Sequence, residues 1–147
     1  MHVAPITDEQ FEAVLPLIAG YQRFYGGLPD AGRNASFFRR FLEPSDEGLL
    51  LGAWRDGELL GHACLYWTFS SVSAAEVVLL NDLFVLAEHR GSGVARGLID
   101  ATVDVARSRG ARAVRWFTAL DNREAQRAYE RTGASRSAWF EYELPAG

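Results

Sequence analysis

Arg90-Gly91-Ser92-Gly93-Val94-Ala95 is the stretch on which the fold turns, because it joins a strand pattern to a helix pattern through two glycines. Upstream, Val77 to Val85 (VVLLNDLFV) reads as a strand that is apolar on both faces, which suits a central position in a sheet. Downstream, Val94 to Arg109 repeats Val94, Leu98, Ile99, Thr102, Val105 and Ala106 at helical spacing. A glycine-rich turn opening a helix is a backbone anion site, since the first N–H groups point outward and the helix dipole favours negative charge there. The plain alternative is a flexible connector.

Three phosphate-loop readings fail on spacing. A dinucleotide fingerprint needs glycine where Arg96 stands, and an acidic residue that Ala113 to Phe117 does not offer. A P-loop needs lysine, and all 15 basic residues of this chain are arginine. A nucleophile elbow needs glycines where Arg90 and Val94 stand around Ser92. The same lack of lysine excludes Schiff-base and pyridoxal-phosphate chemistry. His2, His62 and His89 with the single Cys64 offer no metal-ligand spacing, so no metal is expected.

The 147 residues suit one domain, residues 1–147, able to bury roughly 70% of its unfolded surface. A net charge of −4 with dispersed arginines argues against nucleic acid as a partner, and the lack of a long apolar run argues against a membrane. One cysteine and an N-terminus without a basic-then-apolar leader point to a cytoplasmic location.

Along the chain, Thr7-Asp8-Glu9-Gln10 is a capping box, and Phe11, Val14, Leu15, Ile18 and Tyr21 continue at helical spacing, with Pro16 expected to kink that helix. Asn34 is expected to cap a second helix through Leu42. Gly48 to Trp54 and Leu59 to Phe69 form a hairpin around Asp56-Gly57. Ala113 to Thr118 reads as a strand, Asn122 caps a last helix ended by Gly133, and Ser137 to Leu144 reads as a strand closing the sheet. The order predicts a mixed α/β domain.

Arg90-Gly91-Ser92-Gly93-Val94-Ala95 resembles the R/Q-x-x-G-x-G/A signature of the GNAT superfamily of acetyl-CoA-dependent N-acetyltransferases. Asn122, Ala125, Tyr129 and Gly133-Ala134 resemble that superfamily's later motif at the matching distance. Tyr21 to Tyr25, Asn81 to Val85 and Trp116 to Thr118 further resemble the histone/polyamine and diamine acetyltransferase branch. The resemblance spans essentially the whole chain. It implies a mostly antiparallel sheet splayed at its middle strands and flanked by about four helices.

It also implies acetyl-CoA as co-substrate and a primary amine, small-molecule acceptor. Gly91, Ser92, Gly93, Val94, Ala95 and Arg96 would cradle the pyrophosphate, with Arg90 and Arg96 adding charge, or else lying as solvated surface. Leu83, Phe84 and Val85, opposite Val114 to Thr118, would pair with the pantetheine, and one of their N–H groups would hold the thioester oxygen. Tyr129 takes the superfamily's general-acid position, although on spacing alone it reads as well as a core residue. Asn122 would both cap its helix and bind the coenzyme arm.

The base stays open. Diamine acetyltransferases carry glutamate where this chain has Asn81, and an amide cannot accept a proton. Asp82 would face the other way on a regular strand unless a bulge intervenes, and Glu76 lies farther up. A water relay positioned by Asn81 is the expectation. Tyr21, Phe24 and Tyr25 are expected to roof the acceptor site, or to pack the first helix on the sheet. Glu141 is a candidate contact for a cationic acceptor, or exposed surface. A homodimer is expected from the family. A non-catalytic acetyl-CoA-binding domain, and a lysine or N-terminal protein acetyltransferase, remain open alternatives.

Overall fold

The hairpin turn shows how local sequence sets this architecture. Asp56 and Gly57 both adopt left-handed backbone, with φ of 51° and 81°, as a two-residue turn between right-twisted strands requires. The computed structural model describes residues 1–147, which divide into two compact units, Met1–Phe117 and Thr118–Gly147.

The first unit holds a five-stranded sheet: β1 (His2–Pro5), β2 (Gly48–Arg55), β3 (Glu58–Ser70), β4 (Ala75–Val85) and β5 (Ala113–Arg115), side by side in that order. The first three pairings are antiparallel, and β4 pairs with β5 in parallel. Helices α1 (Phe11–Phe24) and α2 (Ala31–Phe38) cover one face, where Phe11, Val14, Ile18 and Phe38 pack on Leu50 and Cys64. Strand alternation sends the neighbouring residues to the other face. There α3 (Val94–Ser108) buries Val94, Leu98, Ile99, Thr102 and Ala106.

The capping box forms, with the Thr7 N–H donating to Gln10 Oε1 at 3.1 Å, though it opens a short 3-10 turn before α1. Helix α1 continues through Pro16 to Phe24. The cap of α2 is Asp30, whose carboxylate accepts from the Arg33 N–H at 2.8 Å, rather than Asn34. Asn34 is buried inside the helix and exchanges two 2.8 Å hydrogen bonds with the Gln22 side-chain amide, which locks α2 to α1. Asp and Asn are both good caps, and the tertiary partner decided between them.

Strand β5 is shorter than the sequence pattern predicts, ending at Arg115 instead of Thr118. Its ladder with β4 stops at Leu79↔Arg115, two residues before an irregularity in β4.

The second unit contains α4 (Arg123–Glu130), with the Asn122 side-chain oxygen accepting from the Ala125 N–H at 3.2 Å as its cap. The closing strand expected over Ser137 to Leu144 does not form. Residues 134–147 have no helix or strand. A strand's N–H and C=O groups need a neighbouring edge, and alternating or β-prone residues do not by themselves supply one.

Candidate functional site

The site begins where β4 breaks its register. Cys64 opposes Asp82 but Leu65 opposes Leu80, so Asn81 is the unpaired extra residue of a β-bulge. On an unbroken strand Asn81 and Asp82 would face opposite sides of the sheet. The bulge brings them together, and Asn81 Nδ2 donates to Asp82 Oδ1 at 2.6 Å. The Tyr21 hydroxyl of α1 donates to the Asn81 main-chain carbonyl at 3.2 Å, beside the same carboxylate. Asn81 is exposed, while Asp82 is only 2% exposed.

Burial raises the Asp82 pKa to about 6, against the opposing hydrogen bonds from Asn81 and Tyr21. The same burial, with Asp82 close by, lifts the Tyr21 and Tyr66 phenols and the Cys64 thiol above their ordinary ranges. Next to this group lies His62, fully buried opposite Phe84, with neither ring nitrogen hydrogen-bonded. Desolvation depresses its pKa to about 3, so it is neutral at any physiological pH. Sequence reading did not single out His62 as part of the site. Its only sign was its place two residues before Cys64, which on a strand shares a face.

Beyond Leu79 the β5 side of β4 has no strand beside it. The Leu86 N–H reaches the Leu60 carbonyl at 3.0 Å, and the two-residue period of a strand therefore turns the Leu83 and Val85 N–H groups toward the open side. Arg90 Nε donates to the Val85 carbonyl at 3.2 Å, which fits that direction. The peptide of Phe84 faces β3 by the same alternation. Its ring packs where a Cβ on Gly20 of α1 would come within 2.9 Å.

The open edge leads into the glycine turn. Gly91 and Gly93 have φ of 74° and 87°, and a Cβ on either would meet no atom within 4 Å. Left-handed backbone accounts for glycine at both positions, and the space beside them is open. The Ser92 hydroxyl turns inward and donates to the His89 carbonyl at 2.6 Å. Gly93 is the N-cap of α3, and the first helical bond runs from the Gly97 N–H to the Gly93 carbonyl at 3.0 Å, leaving the Val94 and Ala95 N–H groups ahead of it. The buried Val94 side chain pins this turn to the sheet. Arg96 pairs with Asp100 along the exposed side of α3, at 2.9 Å.

The aromatic residues at the end of α1 form a continuous wall. The Tyr21 and Tyr25 rings lie 4.9 Å apart and those of Phe24 and Tyr25 5.1 Å apart. Phe24 and Tyr25 are 58% and 56% exposed, so packing against the sheet does not account for them. Glu76 is held in an ion pair with Arg109 at 2.7 Å. Within the second unit, Tyr129 is half-buried on α4, on the stripe shared with Ala125 and Thr132. Glu141 is exposed in the stretch without helix or strand.

A model of the Acetyltransferase (GNAT) family matches residues 16–134. The N-acetyltransferase YhfO of Bacillus subtilis (strain 168) is 34% identical over 140 residues, covering 95% of this chain and 93% of the relative. The D-amino-acid N-acetyltransferase HPA3 of Saccharomyces cerevisiae is 32% identical over 129 residues, covering 86% and 80%. A crystal structure of a probable acetyltransferase superposes with a TM-score of 0.88 at 33% identity, over 100% of this chain and 99% of that one. Aminoglycoside N-acetyltransferase AAC(6')-Iy, solved with CoA, shares the fold with a TM-score of 0.84 at 21% identity, over 99% and 95% of the two chains.

Proposed function

Because the chain belongs to the GNAT family of acetyltransferases and is an acetyl-CoA-dependent acyltransferase, we propose that it acetylates the primary amine of a small molecule by direct attack, with no protein nucleophile. The observation that carries this reading is the open edge of β4 past Leu79, running straight into the left-handed glycines of the turn before α3.

The residues present suit the coenzyme. Open space over Gly91 and Gly93 lets a pyrophosphate approach the backbone, and the Val94 and Ala95 N–H groups at the helix start are its donors. Acetyl-CoA, when bound, supplies an activated thioester. The Leu83 or Val85 N–H on the open edge is the donor for the thioester oxygen as its charge grows. By the resemblance to the family's later motif, Tyr129 would be the acid for the departing thiolate, and Asn122 would add a contact to the coenzyme arm beyond its capping role. Arg90 ties the turn to the end of β4, and Arg96 is left to its surface pair with Asp100.

Asp82 is covered by Asn81 and Tyr21, and this favours a water relay over direct proton abstraction. Asn81 orients the amine or its water and never ionises. The ion pair of Glu76 with Arg109 argues against that residue as base.

Acetyl-CoA should raise the melting temperature, since a ligand selective for the folded state stabilises by mass action. Gly93→Glu should abolish that rise by placing a carboxylate in the phosphate site. Gly93→Ala, which carries the same backbone strain without the charge, should keep part of it. Equal coenzyme affinity in wild type and Gly93→Glu by calorimetry would refute the assignment of the turn.

A further inference from the structure

Resting on the acetyltransfer reading, we propose a substrate class. The acceptor is a primary amine with an apolar or aromatic body and no carboxylate on the carbon bearing the nitrogen. Its nitrogen meets the Asn81 side-chain oxygen, and its body lies along Tyr25 and Phe24.

The orientation of Asn81 follows from its neighbour. A carboxylate only accepts hydrogen bonds, so Asp82 takes the amide NH2 of Asn81 at 2.6 Å and fixes which way the amide points. The side-chain oxygen is left on the exposed side, as an acceptor for an amine N–H. Asp82 therefore acts through Asn81 and is a positioning residue.

The aromatic wall supplies the rest of the recognition. Tyr21 touches the bulge through its hydroxyl, Tyr25 stacks on Tyr21, and Phe24 on Tyr25. A chain of rings thus runs from the buried carboxylate to residues more than half exposed. Such a surface suits an apolar body and a neutral or cationic nitrogen at its inner end.

The same place is hostile to a carboxylate. The groups acting on Asp82 are Asn81 and Tyr21, both neutral, and no arginine is among them. Arg90 borders the wall, with its guanidinium carbon 6.0 Å from the Phe24 ring centre, but it is fastened to Val85. Val85 is four residues from Asn81, roughly 13 Å along a strand. In an α-amino acid the nitrogen and carboxylate are separated by less than about 4 Å. An α-carboxylate would therefore sit beside the Asp82 carboxylate and away from Arg90, where like charges repel.

Steady-state thiol release with acetyl-CoA and the full chain tests this, using phenethylamine, D- and L-phenylalanine, putrescine and a peptide with a free N-terminus, each expressed per neutral amine. The expected result is a kcat/KM for phenethylamine at least tenfold above every other acceptor. Tyr25→Ala and Phe24→Ala, both at exposed positions, should each raise the KM for phenethylamine at least fivefold and leave acetyl-CoA affinity within twofold by calorimetry. A smaller preference for phenethylamine, or an unchanged KM in both variants, overturns the inference. Turnover of phenylalanine, putrescine or the peptide in preference does so while leaving acetyl transfer standing. No thiol release with any amine overturns the acetyltransfer reading and the inference with it.

Discussion

Asp82→Asn removes a buried charge while keeping the shape and the acceptor oxygen that Asn81 uses, and its effect on stability has a calculable pH dependence. The folded-state pKa of Asp82 is raised to about 6 from an ordinary 3.8, a difference of roughly 2. At about 1.4 kcal/mol for each pH unit, this corresponds to about 3 kcal/mol. The sign follows from which state binds the proton more tightly. Here the folded state does, so the stabilisation is fully present below pH 3.8 and is lost as pH rises through 6.

Asparagine cannot titrate, so the variant lacks this slope. Its stability minus that of wild type should therefore rise by more than about 2 kcal/mol between pH 4 and pH 7, then level off. His62 titrates in an overlapping window with the opposite sign. Its pKa is depressed to about 3, and its contribution is present above 6.5 and lost as pH falls. The wild-type curve alone mixes the two effects, and the difference between variant and wild type cancels His62. Urea denaturation at half-unit steps from pH 4 to pH 8 measures that difference. A gap that does not change with pH would show that Asp82 titrates as it does in the unfolded chain, and would refute the burial argument.

Tyr129→Phe removes only a hydroxyl, and should lower kcat about 10²-fold with coenzyme binding intact; turnover within about threefold of wild type would return Tyr129 to a packing role. Gly48→Ala should destabilise by at least about 2 kcal/mol, because its Cβ would stand 2.0 Å from the Leu65 carbonyl oxygen of the neighbouring strand. Thermal denaturation of that variant within a degree or two of wild type would mean that β2 and β3 can separate at this point without loss.

What was legible in the sequence was what local chemistry dictates. The Asp56-Gly57 turn, the capping box at Thr7, the two glycines before α3 and the Asn122 cap all form as residue type and spacing predict. What was misread depended on a partner elsewhere in the chain. Asn34 is as good a cap as Asp30 until Gln22 engages its amide. Ser137 to Leu144 has strand-forming residues, but Trp139, Phe140, Tyr142 and Leu144 all remain more than 80% exposed, with no pairing edge. The early end of β5 has the same origin, because the ladder it would continue stops just short of the bulge in β4.

The bulge is also why the roles of Asn81 and Asp82 were left open at the level of sequence. Strand parity makes consecutive residues face opposite ways, and one inserted residue reverses that assignment for everything after it. No propensity marks the insertion, since Asn-Asp in the middle of VVLLNDLFV reads as well as a break in a strand as a functional pair. Once the parity is known, the two residues acquire a common purpose. A carboxylate kept 98% from solvent without a cation destabilises the fold at neutral pH, and the apolar neighbours on its face would be better served by leucine. Its hydrogen-bonding neighbour is the amide at the head of the open edge, and beside it stands the tyrosine that begins the aromatic wall, whose hydroxyl donates to the Asn81 carbonyl. A group that costs stability and holds those two side chains in one arrangement is best understood as fixing the direction of the Asn81 oxygen, because leucine could fill the space but could not orient an amide.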